Sequence, residues 1–383
     1  MPWMETCSMK EKMRFVSTHE TGLYGMSELC ERFGISRKTG YKWVDRFEEG
    51  GVDGLRERSR RPHRSPYRTP EEIERLLVEV RRSHPNWGPE KLLEVVSRRH
   101  GELELPARST VAAILKREGL VKERRRRRHH RHPGRPTKEV TAANEVWTGD
   151  YKGEFKTLDG RWCYPLTVAD EHTRYLLGCD GMTSTEGRGA RTAFERLFRE
   201  NGLPEAIRTD NGTPFTKPTA IHGLSSLSVW WIQLGIRPER IEPGKPQQNG
   251  RHERMHRTLK DETVCPPARD LQEQQKRFDA FRQEFNHERP HQALRQKTPA
   301  EVWSPSARAL PDRVPEPHYP AHCQPRLVFS TGYIKFKNRS LFLSQTLQGQ
   351  HVALEEIHDG IWSIHFYDVL LGRLDERTFE VIA

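Results

Sequence analysis

Apolar positions in the first 120 residues recur at helical spacing. In "SELCERFGISRKTGYKWVDRF" (27–47), Leu29, Cys30, Phe33, Ile35, Val44 and Phe47 flank a Gly34-Ile35-Ser36 turn, and Ser36 stands where a helix N-cap belongs. Joined by Phe15 and Val16, they predict a three-helix core over 1–60 in the helix-turn-helix pattern, whose second helix enters the DNA major groove. Arg37, Lys38, Lys42 and Arg46 would then face DNA; a plain helical hairpin with a solvated basic face is the alternative. "SRRPHRSPYRTP" (59–70) reads as a linker, and Thr69-Pro70-Glu71-Glu72 as a capping box with proline at the first helical position. Three more helices follow, around 70–83, 89–100 and 108–118, the last with Val111, Ile114 and Leu115 on one face. They predict a second helix-turn-helix or winged-helix-like module over 61–122, or else a packing or dimerisation domain.

After residue 141 the period changes. "EVWTGDYKGEF" (145–155) alternates as a strand, Asp159-Gly160 turns it, and "RWCYPLTVAD" (161–170) pairs back as a hairpin. "TRYLLGCD" is a third strand, and Ala190, Phe194, Leu197 and Phe198 mark a helix over about 185–201. "EAIRTDNG" (205–212) is a short strand ending in a turn, "LSVWWIQLG" is helical, and "IRPERIEP" leads into the loop "PGKPQQN" and a further helix. Leu271, Phe278, Phe281 and Phe285 mark one more long helix. Strands followed by alternating helix and strand predict an α/β core over 141–303. A stretch with six prolines (304–325) reads as an extended linker, and short alternating strands over 326–383 as a small all-β barrel.

Length and charge sharpen this multidomain reading. At 383 residues, two to four domains are expected. A net charge of +11 favours a polyanionic partner, with nucleic acid first because no apolar run is long enough to span a membrane. From Lys122 to Lys138 the chain carries nine Lys/Arg and one acid. That segment (123–140) repels itself and would lie along phosphates as a basic linker, Arg124, Arg125, Arg126, Arg127 and Arg128 among its contacts. Six scattered cysteines without a C-x-x-C pair fit reduced thiols and no zinc motif. With no signal-peptide pattern, the expected location is the cytoplasm, at the nucleoid.

Three acids stand where elements end or bend: Asp150 in the first core strand, Asp210 at the end of "AIRTD", and Glu253 in the first turn of the helix after the loop. Crevices form at such an edge of an α/β sheet. Carboxylates from separate elements suit Mg²⁺, and two such ions roughly 3.5–4 Å apart support in-line phosphoryl displacement. Arg257 and Lys260 share the helix face of Glu253, with His256 beside them, while Met255 and Leu259 point toward a core. Taken alone, Glu253–Arg257 could equally be an ordinary exposed i,i+4 pair.

"VWTGDYKG", "RTDNGTPF" and "GKPQQNGRHERMHRTLK" together resemble the D, D and E blocks of the retroviral-integrase-like DDE superfamily. "FNHERPHQALRQKTPAEVW" (285–303) resembles the segment closing the core in its bacterial insertion-sequence members. The layout is similar to DDE transposases of the insertion sequence family numbered 481, with helix-turn-helix modules where the viral enzymes have a zinc domain. One departure is that 42 residues separate Asp210 from Glu253, more than is usual in the family, with the excess expected in "TKPTAIHGLSS" (216–226). The resemblance implies an RNase H-like catalytic core and metal-dependent cleavage and strand transfer at the ends of an insertion sequence. It implies Asp150, Asp210 and Glu253 as catalytic metal ligands for Mg²⁺, with Mn²⁺ able to substitute and two ions per site. Asn249, Arg257 and Lys260 would lie near DNA. Double-stranded DNA (terminal inverted repeats and target) is the implied partner, bound by a homodimer or higher oligomer. Two other readings stay open: a catalytically inactive helix-turn-helix regulator, and an RNase H-like nuclease that does not join strands.

Overall fold

The computed structural model describes residues 8–58, 68–121, 140–242 and 250–382. Backbone contacts divide the chain into two units, Met1–Arg68 and Thr69–Ala383.

The first unit holds α1 (Ser8–Glu20), α2 (Met26–Arg32) and α3 (Arg37–Gly54). Phe15, Val16, Leu29, Cys30 and Val44 form its core together with Trp43 and Leu55, two residues the apolar pattern did not single out. Ser36 caps α3, its hydroxyl accepting the Thr39 N–H at 3.2 Å. Gly40 lets α3 approach its neighbours: a Cβ there would lie 2.6 Å from Cys30 Sγ and 3.0 Å from Phe15.

The second unit opens with α4 (Glu71–Ser83), α5 (Pro89–Arg99) and α6 (Arg108–Arg117), packed around Leu77, Trp87, Leu92, Val96, Val111 and Ile114. The capping box expected at 69–72 does not form. Pro70 is itself the N-cap, with no side-chain capping bond. Its extended backbone (ψ 143°) leaves Thr69 one residue too early, and Glu71, Glu72 and Glu74 meet the helix dipole instead. These helices are not a separate module on a tether. His84 reaches Glu284 at 3.1 Å and Arg98 reaches Glu301 at 3.1 Å, which fastens them to the core.

The core sheet contains β1 (Val146–Tyr151), β2 (Phe155–Lys156), β3 (Trp162–Asp170), β4 (Leu176–Met182), β5 (Ala206–Thr209) and β6 (Arg237–Arg240). β3 pairs antiparallel with β1, β2 and β4, whereas β1, β5 and β6 run parallel. β6 is a strand where the sequence read only a lead-in to the loop. α7 (Gly187–Asn201) and α8 (Ser226–Gln233) cover one face through Trp147, Leu166, Phe194, Phe198, Trp230 and Trp231. α9 (Gly250–Leu259) and α10 (Leu271–His287) cover the other through Met255, Leu259, Phe278 and Phe281. The extra residues ahead of α8 fold into a short loop closed by a Thr216–Leu224 bridge.

The proline-rich segment is extended and strapped to the core. Ser306 N–H donates to the Asn201 carbonyl and Leu203 N–H to that of Arg308. Gly202, in the left-handed region (φ 74°) after α7, admits this close passage. The segment ends before Gln324, since β7 (Gln324–Leu327) already pairs with β10 (His351–His358), and Pro325 is tolerated on that edge strand. β11 (Ile361–Phe366), β12 (Val369–Asp375) and β13 (Glu380–Ile382) extend the sheet. The hairpin β8 (Tyr333–Phe336)–β9 (Arg339–Phe342) forms a separate ladder. The two sheets share one apolar core, so this small all-β domain is barrel-like without a continuous ladder around it. Leu224, Val229 and Ile232 of the α/β core enter that same cluster.

Candidate active site

Strand register brings the first two acids together. β1 and β5 are parallel with Gly149 opposite Thr209, so Asp150 and Asp210 are the next residues on neighbouring strands, about one strand spacing (~4.8 Å) apart. On its other side Asp150 pairs with Thr167 of β3. Asp210 accepts the Gly212 N–H at 3.0 Å, which turns the chain away from the sheet. Glu253 sits exposed in the first turn of α9. The Asp150 carboxyl is pushed up to about 7, by burial first and then by the charge of Asp210; Glu253 adds to this, while the Tyr151 N–H and Lys152 oppose it. Clustered negative charge of this kind is relieved by a cation or by a proton.

Behind the acids lies a buried polar network. His252 and His256 do not join the basic surface; they are 3% and 6% exposed. Burial pushes His252 down to about 3 and His256 to about 2, the latter helped by His252 and Lys152, so both imidazoles are neutral. Their Nε2 atoms lie 2.7 and 2.6 Å from the Thr167 hydroxyl, which is 3.1 Å from the Asp150 carbonyl. His252 Nδ1 lies 2.9 Å from the Thr148 hydroxyl, and His256 Nδ1 faces Asp150 Oδ2 at 3.7 Å. In one assignment Thr167 donates to the Asp150 carbonyl and accepts from both Nε2–H groups, while Thr148 shares its hydroxyl proton between His252 Nδ1 and the Ala169 carbonyl at 3.2 Å. Asp150, His252 and His256 are also close enough to share an ion. His252, however, has both ring nitrogens engaged, whereas Asp150, Asp210 and Glu253 offer hard carboxylate oxygens. Carboxylate oxygens suit Mg²⁺ better than imidazole nitrogens do, although Asp150, Asp210 and Glu253 do not bring ligand atoms within 4.8 Å of one another here.

The histidines and threonines, with Lys152, are what the sequence reading missed. The available signal was His252, Met255, His256 and Leu259 at i, i+3, i+4 and i+7, the buried stripe of α9. Arg257 and Lys260 lie exposed on the Glu253 side. Arg37, Lys38 and Lys42 are exposed on α3, and Arg46 is partly buried; Lys42 and Arg46 lie over Trp43 at 4.4 and 5.1 Å, which anchors them. Arg124, Arg125, Arg126, Arg127, Arg128 and Asn249 lie outside the described residues. Away from the core, His322, Cys323 and Glu355 come together, although no Cys/His spacing announced a zinc site; a 3.0 Å His322–Glu355 contact accounts for that surface cluster.

Residues 140–246 and 234–299 match the family described as Integrase core domain. The α/β region thus resembles an integrase core over these residues. Residues 12–63 match a Helix-turn-helix domain and 39–115 a Homeodomain-like domain. The chain is 28% identical over 233 residues to an uncharacterised 31.7 kDa protein of insertion element IS407 from Burkholderia multivorans, covering 59% of this chain and 78% of that protein. It is 28% identical over 236 residues to an uncharacterised 39.2 kDa protein of insertion element IS476 from Xanthomonas euvesicatoria, covering 59% and 62%. Among solved structures, the HTLV-2 integrase catalytic core domain in complex with magnesium is similar at 15% identity and a TM-score of 0.34, over 43% of this chain and 99% of that one. A simian T-cell lymphotropic virus intasome in complex with a PP2A regulatory subunit is similar at 17% identity and 0.36, over 77% and 97%. Helix-turn-helix and homeodomain-like matches followed by an integrase-core match, together with these insertion-element relatives, are what the chain is similar to.

Proposed function

We propose that the chain is a DDE transposase, close to the insertion sequence family numbered 481, that cleaves element ends and joins them to target DNA. The observation that carries this reading is the register: Asp150 in β1 and Asp210 just past β5 follow the paired Gly149 and Thr209, and the charge of Glu253 on α9 acts on the Asp150 carboxyl. These three residues would hold Mg²⁺ or Mn²⁺, which when bound activates an attacking oxygen and stabilises a leaving one. The protein's own part is to fix the ligands and the DNA. The Thr167–His256 network holds the Asp150 strand, and the neutral imidazoles add no charge that would compete with a metal. Arg257 and Lys260 face phosphates, and α3 presents Arg37, Lys38 and Lys42 to a groove. The acids work as ligands, so no histidine base and no covalent protein–DNA intermediate are required. Bridging two element ends calls for a dimer or larger assembly, working in the cytoplasm. Among the described residues no helix is long and apolar enough to cross a membrane.

The test supplies purified protein, Mg²⁺ and labelled element-end duplex. Joined products are expected, and Asp150→Asn and Glu253→Gln should each abolish them while leaving duplex binding intact. Cleaved but unjoined ends would instead indicate a nuclease. Binding with neither reaction would indicate a regulator.

A further inference from the structure

On the far side of α9 from Glu253 lies a second site of opposite charge. Arg251, Arg254 and Met255 fall roughly 100–200° round the helix from Glu253, and they line a cavity of about 300 Å³ with His252 and Thr148 at its inner wall. Five cations reach it from four parts of the fold: Lys91 from α5, Arg174 from the β3–β4 turn, Arg251 and Arg254 from α9, and Arg289 from beyond α10. Arg174 does so from a left-handed backbone (φ 67°), a conformation unfavourable for a side chain of its size.

The carboxylates present do not balance this charge. Glu171 serves two arginines, Arg251 at 2.9 Å and Arg174 at 3.8 Å. Asp170 is engaged by the Asn144 and Thr173 N–H groups and the Thr173 hydroxyl. Glu262 pairs with Arg289 at 3.2 Å and Glu284 contacts His84. Lys91 and Arg254 have no ion-pair partner among the described residues. Lys91 is pushed down to about 7, by burial first and then by Arg289, with Glu262 and Glu284 opposing; Arg174 is pushed down to about 10, by burial and then by Arg251, with Glu171 opposing. His291 adds a buried Nε2 without a hydrogen-bond partner among the described residues. A purely structural ion-pair network would pair its cations. This one leaves two over, facing an open cavity.

We propose that this cavity is a phosphate-binding site, distinct from the acidic site, in which Lys91, Arg174, Arg251, Arg254 and Arg289 surround one phosphate group. A phosphodiester of bound DNA and a free phosphate compound offer the same oxyanion. The site stands on its own charge and shape, and only its assignment to DNA rests on the function proposed above. Lys91 and Arg254 are the residues to change, since removing either breaks no ion pair.

The experiment titrates inorganic pyrophosphate and, separately, a short duplex of arbitrary sequence into the full-length protein without divalent metal. Lys91→Gln and Arg254→Gln are compared with the unmodified chain and with Arg199→Gln, an equal charge change on α7. Pyrophosphate should bind the unmodified chain and Arg199→Gln alike, and bind each pocket variant roughly tenfold more weakly. If the occupant is DNA, duplex affinity falls with it and its salt slope drops by about one; if only pyrophosphate binding falls, the occupant is a free phosphate compound. Pyrophosphate binding that is absent, or equal in all the proteins, overturns the site. Neither readout needs metal or strand joining, so a chain that joins no DNA yet binds pyrophosphate here loses the transposase reading and keeps this one.

Discussion

Asp150 carries the tension in the acidic site. Its carboxyl titrates near 7 rather than at the ordinary 3.8, so burying it costs nothing while it is protonated, and stability is lost as pH rises through that range. The difference sets an upper bound of about 4 kcal/mol above neutrality. Without divalent metal, Asp150→Asn should therefore raise the apparent melting temperature by a few degrees at pH 8 and leave it nearly unchanged at pH 4. A lower melting temperature at pH 8 would show that the carboxylates do not repel one another. The histidines run the other way. His252 and His256 are held neutral far below the usual value, so their contribution is present above about 6.5 and lost as pH falls below it, when the unfolded chain takes up protons and the folded chain does not. His256→Asn should make stability fall less steeply between pH 6.5 and 5, by a slope that rises toward about 1.4 kcal/mol per pH unit at the acid end; chemical denaturation across that range measures it. The acids were legible because each stood at a strand end or helix start. His256, read beside Arg257 and Lys260, is instead buried, because residue type alone does not report burial.

At the level of elements, periodicity found most helices and strands, and local propensity failed where packing or a single backbone angle decided. Gly40 is the clearest case, since propensity alone favours alanine over glycine inside a helix. Here α3 presses on Cys30 and Phe15, and any side chain at 40 must displace them. Gly40→Val should destabilise the first unit by about 1–3 kcal/mol. Hydrogen exchange in α1–α3 would detect this, with protection in β1 and β5 unchanged. β6 escaped notice because "RPER" is polar and partly exposed, and it becomes a strand only through parallel pairing with β5.

Across the whole molecule, segments that read as separate pieces share cores. Leu224, Val229 and Ile232 belong by sequence to the α/β region yet pack with Val352, Trp362 and Phe366 of the C-terminal sheets. The longer interval between Asp210 and Glu253 supplies the first of them, which gives those extra residues a structural use. Removing residues 304–383 should therefore expose an apolar patch on α8, increase binding of an apolar dye and lower the melting temperature of what remains. A truncated chain that melts like the intact one would show the C-terminal domain to be an independent appendage.

The sequence alone determined most element types, the change from helical period to α/β alternation, the excess of positive charge, and the three acids as candidates, because each is written in local spacing or residue type. Only the tertiary structure decided that Asp150 and Asp210 follow paired positions on neighbouring parallel strands, since register is set by pairing partners 60 residues apart in the chain. It alone decided that two histidines on the Glu253 helix are buried and neutral, and that five cations from distant segments converge behind that helix. Burial and electrostatic field are properties of surroundings, and those exist only once the chain has folded.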